Sequence, residues 1–97
     1  EVIAIDPQPS LSESGTVYFM ANTGATTFTL PASGVAGVQY VIVNVLGNDV
    51  NIDTANANDK LNNQTSPLNA TTINTGTTII CAGSVGGVIQ WFVLGGI

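Results

Sequence analysis

The chain has very little charge. Only 7% of its 97 residues are Asp, Glu, Lys or Arg, against roughly 25% in an ordinary soluble domain. Lys60 is the single cation, histidine is absent, and six acids set the formal net charge at −5. Phosphate backbones are gripped by clustered Lys and Arg, so no nucleic-acid partner is expected. An anionic membrane surface is disfavoured for the same reason. Without histidine, acid–base chemistry would need paired carboxylates, and Glu1, Asp6, Glu13, Asp49, Asp53 and Asp59 are scattered, mostly through turn-like stretches. The serines have no base to activate them, and no glycine-rich phosphate loop occurs. Cys81 is the only cysteine, which excludes an internal disulfide; with no histidine or second cysteine there is no zinc site. No apolar run approaches the ~18 residues of a membrane span. No signal peptide is visible, and a chain starting at Glu1 reads as a processed product or an excised domain. The expectation is a protein without enzymatic activity or cofactor.

What is present is apolar. Hydrophobic residues make up 44% of the chain, and Thr, Asn, Ser and Gly supply the polarity that charge usually provides. Solubility normally leans on a mixed-charge surface, so a chain this poor in charge is expected to cover part of itself with copies or neighbours. A homo-oligomer follows as the expected state. Cys81 lies in the apolar stretch TTIICAGS and reads as a small buried hydrophobe.

Residues 1 to 9, EVIAIDPQP, read as an extended arm or linker stiffened by Pro7 and Pro9, and 10 to 97 as a single β domain. Thr16 to Met20 and Ala25 to Leu30 have strand composition, with Phe28 and Leu30 alternating against Thr27 and Thr29. Val38 to Leu46 is apolar on both faces, as a strand covered on both sides would be; Asn44 interrupts one face and requires a hydrogen bond if buried. Gly47-Asn48 fits a two-residue turn, so Val50 to Asp53 is expected to fold back on that strand. Residues 54 to 70 read as a long Asn-rich loop. A short strand is expected around Ile73, another from Thr77 to Ser84, a turn at Val85-Gly86-Gly87, and a last two-faced strand from Val88 to Leu94. The two strands apolar on both faces are expected to be sheet neighbours. The fold class is all-β: a small antiparallel sandwich or barrel of about seven or eight short strands, without an internal repeat.

The expected assembly and core residues are Tyr40, Ile42, Val43, Val45, Ile89, Trp91, Phe92 and Val93. Trp91 and Tyr40 lie within apolar strands, which favours packing over sugar stacking. Asp53, Asn56, Asn58 and Asp59 carry the hard oxygen atoms calcium takes, but their spacing does not match a calcium loop and they serve equally as turn formers. Asn58, Asp59, Asn62, Asn63 and Gln64 are the candidate ligand residues of the Asn-rich loop, should the domain be an adhesin for a receptor or host-surface glycan. Asn63-Gln64-Thr65 and Asn69-Ala70-Thr71 fit the glycosylation pattern, which matters only in a eukaryotic secretory setting.

The order of short motifs resembles β-rich modules of tailed-bacteriophage virion proteins: tail fibres, head fibres and related decoration proteins. The motifs are Thr29-Leu30-Pro31, a small-residue loop, the Tyr-containing strand Val38 to Val45, Val50 to Ile52, Asn58-Asp59-Lys60-Leu61, and Trp91-Phe92-Val93 after a Gly-Gly turn. They span roughly residues 15 to 96, each one short, so order and spacing carry the likeness. The Asn-rich stretch around 62 to 70 departs from the pattern. The resemblance implies a structural or adhesive part of a virion surface, often trimeric, which contacts other virion proteins, serves display or host attachment, and brings no catalytic residues with it.

Overall fold

A computed structural model describes residues 2–3, 6–63 and 76–94. Eight strands are present among these residues: β1 (Val2–Ile3), β2 (Val17–Met20), β3 (Thr26–Leu30), β4 (Gln39–Asn44), β5 (Val50–Thr54), β6 (Lys60–Leu61), β7 (Gly76–Val85) and β8 (Val88–Leu94). The only helical element among the described residues is a 3-10 turn at Leu11–Glu13. The all-β class read from the sequence is therefore correct. The strands form a six-stranded sheet in the order β1-β2-β4-β7-β8-β6 and a two-stranded sheet of β3 and β5.

Strand direction departs from the expectation. Only β4–β7 and β7–β8 are antiparallel; β1–β2, β2–β4, β3–β5 and β6–β8 are parallel. The chain climbs from one sheet to the other and back. In the large sheet Val17 lies opposite Val41, and in the small sheet Thr26 lies opposite Val50, so both pairs carry the same 24-residue offset. Residues 17–30 and 41–54 are thus two stacked coils of one path. This repeat is one of geometry, since the coils share the inward–outward pattern and hardly any residue identities, which is why no repeat shows in the sequence.

The fold-back of Val50 to Asp53 onto Val38 to Leu46 is overturned for the same reason: β4 and β5 belong to different sheets. Gly47 takes positive φ, +77°, and Asn48 does not, a combination that a type II′ hairpin turn would accept, but no ladder between β4 and β5 follows it. Asn44 instead accepts the Gly47 N–H on its Oδ1 (2.8 Å) and donates through Nδ2 to the Asn48 carbonyl (2.9 Å). The side chain that needed a partner turns the strand out of its sheet. The hairpin lies later, where Gly86 (φ +61°) and Gly87 (φ +81°) join β7 to β8 at the turn read from the sequence. The expected pairing of the two apolar strands is also corrected, because β7 lies between β4 and β8.

The core lies between the two sheets. Phe28, Leu30, Val50 and Ile52 enter from the small sheet and Tyr18, Met20, Tyr40, Ile42, Ile79, Cys81 and Trp91 from the large one. Phe28, Tyr18, Tyr40 and Trp91 form an aromatic spine, with successive centroids 5.2, 6.2 and 6.2 Å apart. Burial pushes the Tyr40 phenol above the usual tyrosine range, and repulsion from Glu13 and Cys81 adds to it. Gly34 closes one end of the core: a Cβ there would sit 2.6 Å from Ile89 Cγ2 and 2.8 Å from Cys81 Sγ. Only a residue without a side chain lets this loop approach so closely.

Candidate assembly surface

Because side chains alternate across a strand, every strand that buries one apolar row presents another row outward. In β2, Tyr18 and Met20 point in, and Val17 and Phe19 point out. The register then lays out the outer face of the large sheet: Val17 beside Val41, Val41 beside Thr78, Thr78 beside Leu94. A second row sets Val2 beside Phe19 and Phe19 beside Val43. A third joins Gln39, Ile80 and Phe92. Val2, Phe19 and Leu94 are 72%, 41% and 53% exposed. No outward position of β2, β4, β7 or β8 carries an ionisable group. Lys60 stands at the β6 rim, opposite Gln90, where a lysine on an edge strand discourages further pairing.

The described acids lie elsewhere. Asp6 and Glu13 lie in the N-terminal segment, Asp6 accepting from Thr26 and Glu13 from Ser10 and Tyr18, Asp49 lies between β4 and β5, Asp53 is on the small sheet, and Asp59 is buried. With strands ~4.8 Å apart and ~3.3 Å per residue, five strands give a face of roughly 300–400 Å². That is as large as the biggest apolar patch on a typical monomer, ~300–600 Å². It falls short of the ~800 Å² per partner of a standard stable interface.

The residues singled out from the sequence divide between the two faces. Tyr40, Ile42, Ile89 and Trp91 are core, and Val93 packs against the core. Val43 and Phe92 belong to the outer face. Val45 lies beyond the end of β4 in an exposed connection, 53% accessible with Leu46 beside it, and is not a core residue. Val17, Phe19, Val41, Ile80 and Leu94 complete the outer face beyond the residues singled out from the sequence. For Val17 and Phe19 the signal is present in TVYFM, whose two apolar rows match the pattern of the other two-faced strands, and Val41 and Leu94 lie in those two strands themselves.

Residues 54–63 of the Asn-rich stretch are more ordered than a loop without periodicity should be, for β6 lies within them. Asp59 is 3% exposed; its Oδ1 accepts the Ile89 N–H at 3.1 Å and its Oδ2 accepts from Asn56 Nδ2 at 3.0 Å. Asn62 Oδ1 accepts the Val93 N–H (2.9 Å), and the Asn62 N–H donates to the Trp91 carbonyl. Asn62 and Asn63 both take left-handed backbone, φ 52° and 66°, a conformation Asn tolerates. These bonds stitch the segment to β8. Asp53 Oδ1 accepts the Thr54 N–H, Asn56 Nδ2 also donates to the Ala32 carbonyl, and Asn58 and Asn63 are exposed. Gln64, the rest of that loop and the strand expected around Ile73 lie outside the described residues. Among the described residues no three His, Cys, Asp or Glu side chains gather as a metal-holding group.

Asp59 yields a sharp expectation. Asp59→Ala should cost about 1–3 kcal/mol, because it leaves a buried backbone N–H at Ile89 without an acceptor. Asp59→Asn retains an acceptor and should cost less, as read from urea midpoints of the two variants.

A groove of about 350 Å³ runs between the N-terminal segment and the end of β3, lined by Gln8 to Leu11, Thr29 to Ser33 and Ala55. Among the described residues no charged or aromatic side chain lines it. Among the described residues two buried side-chain atoms have no partner, Asn22 Oδ1 and Trp91 Nε1. Neither opens on the groove's lining. No protein-family model matches the chain, and no curated protein matches it in sequence.

Proposed function

We propose that the domain is a non-catalytic structural module of a phage virion, a capsid-fibre, decoration or tail-fibre domain that assembles with copies of itself through the outer face of its six-stranded sheet. One observation carries this reading: a chain of net charge −5 presents a largely apolar sheet face, interrupted by the neutral Gln39 and Thr78, on which the strands place no charge. Self-association of a strongly acidic body is opposed by like-charge repulsion, and an uncharged face is where two copies can approach without it. The motif order of the sequence supports the virion setting, a place on the particle surface, and neighbours among other virion proteins. It also favours a trimer.

The area of the face sets the strength. At 300–400 Å² per copy the contact alone gives reversible association, and a permanent assembly draws on further surface. Sedimentation velocity across a range of concentrations tests this. The expected result is a mass that rises above 9.9 kDa with concentration; a folded monomer at every concentration up to the millimolar range would overturn it.

A further inference from the structure

Residues 6–14 run beneath the core and across the open edge of β3. In the parallel pairing of β3 with β5, the Thr26 N–H reaches the Asp49 carbonyl, so Thr26, Phe28 and Leu30 turn their backbone groups toward β5. Thr27 and Thr29 turn theirs the other way. Both of those outward N–H groups are taken by the N-terminal segment: Thr27 N–H by Asp6 Oδ1 at 3.0 Å, Thr29 N–H by the Pro7 carbonyl at 3.0 Å. Asp6 Oδ1 also accepts the Thr26 hydroxyl at 2.8 Å. Further along, Glu13 accepts the Ser10 N–H and the Tyr18 hydroxyl, while the Ser10 carbonyl accepts the Tyr40 hydroxyl at 2.7 Å. Pro7 and Pro9 are buried under this arrangement.

We infer that this segment is an acid-releasable cover, held over the β3 edge by the Asp6 and Glu13 carboxylates and let go when they are protonated. Every described donor to the two carboxylates is neutral: threonine, serine, tyrosine and backbone N–H. The ionisable groups near Glu13 are the Tyr18 and Tyr40 phenols, and the Asp6 side is lined by threonines. Lys60 stands on β6, at the far edge of the large sheet. Among the described residues no cation is paired with the segment, and the negative charge itself makes these bonds strong.

Both groups titrate below their ordinary values of 3.8 and 4.5. The Thr27 N–H is the chief cause at Asp6, followed by the Thr26 hydroxyl; at Glu13 it is the Ser10 N–H, followed by the Tyr18 hydroxyl. A carboxylate lowered by folding stabilises the folded arrangement fully above its unfolded value, and that support is lost as pH falls through the folded one. The cover is therefore secure at neutral pH and loosens in acid. Its departure leaves Thr27 and Thr29 as the free edge of a two-stranded sheet, ready to pair with another extended chain.

Amide exchange on the full chain, corrected for intrinsic chemical exchange, tests this. Between about pH 6.5 and about pH 2, beneath the lowered carboxylate range, protection at Thr27 and Thr29 should fall about tenfold, the weight of an exposed charge-assisted hydrogen bond. Cys81, whose N–H is bonded to the Val38 carbonyl within the body, should keep its protection. Asp6→Asn should show the acid behaviour of Thr27 already at the higher pH. Equal protection at both pH values, a fall in step with Cys81, or wild-type protection in Asp6→Asn would each overturn the inference.

Discussion

Phe19→Glu should abolish self-association and leave the fold intact. Phe19 is 41% exposed and stands between Val2 and Val43 on the outer face, so the substitution removes an aromatic contact and places a carboxylate inside an uncharged patch. In an assembled state that carboxylate would be desolvated against apolar neighbours without a partner. The effective cost is several kcal/mol per buried ion, more than a contact of a few hundred Å² supplies after the cost of association. In the monomer the same side chain reaches water, and the loss is limited to cross-strand packing, on the order of 1 kcal/mol. Sedimentation of the variant should return the monomer mass at concentrations where the parent associates, with the near-ultraviolet signal of Trp91 unchanged. A variant that associates like the parent would mean that the copies meet elsewhere.

Tyr40→Ala should produce the largest loss of stability of any single truncation in the spine. Tyr40 is fully buried and lies within 6.2 Å of both Tyr18 and Trp91 and 6.1 Å of Phe28, measured between ring centroids. Truncating a large buried aromatic costs about 3–5 kcal/mol, a large share of the roughly 5–15 kcal/mol that holds a domain folded. Tyr40→Phe keeps the ring and gives up only the hydroxyl bond to the Ser10 carbonyl, for about 1 kcal/mol. Trp91 packs against this ring and is the chain's only tryptophan, so its fluorescence reports both transitions in urea. Comparable losses in the two variants would show that the hydroxyl, rather than the packed ring, dominates at this position.

Strand positions and the inward rows were legible in the sequence because alternation is a local property. Phe28 and Leu30 against Thr27 and Thr29, and the Gly86-Gly87 turn, can be read within a few residues. Strand partnership is not local. Val38 to Leu46 followed by Gly47-Asn48 has the outward form of a hairpin, and nothing in those residues reveals that Asn44 will bind Gly47 and Asn48 and divert the chain to the other sheet. Parallel coils leave even less trace, since Val17 and Val41 are brought together by the equal length of two connections rather than by a shared motif. The outer face was legible only in part. Apolarity on both sides of β4 and β8 signalled a covered surface, but the membership of Phe19 and Ile80 depended on which strands stand side by side. The roles of Asp6 and Asp59 were hidden because a carboxylate that accepts backbone N–H groups looks, in sequence, like any turn former.

Strand order in the large sheet has a kinetic consequence. β8 follows β6 in the chain by about thirty residues, yet β8 is the interior strand and β6 is the edge that leans on it. Lys60 and Leu61 therefore have no strand to join until Gln90 and Trp91 have docked on β7, however early they are synthesised. Nearly all pairing in this sheet joins distant segments, and chains of that kind fold in milliseconds to seconds rather than microseconds. The β7–β8 hairpin, whose turn is encoded locally by two glycines, is the one large element able to form first. The segment from Asn56 to Asn62 should gain its exchange protection last, after the hairpin has provided the template on which it closes.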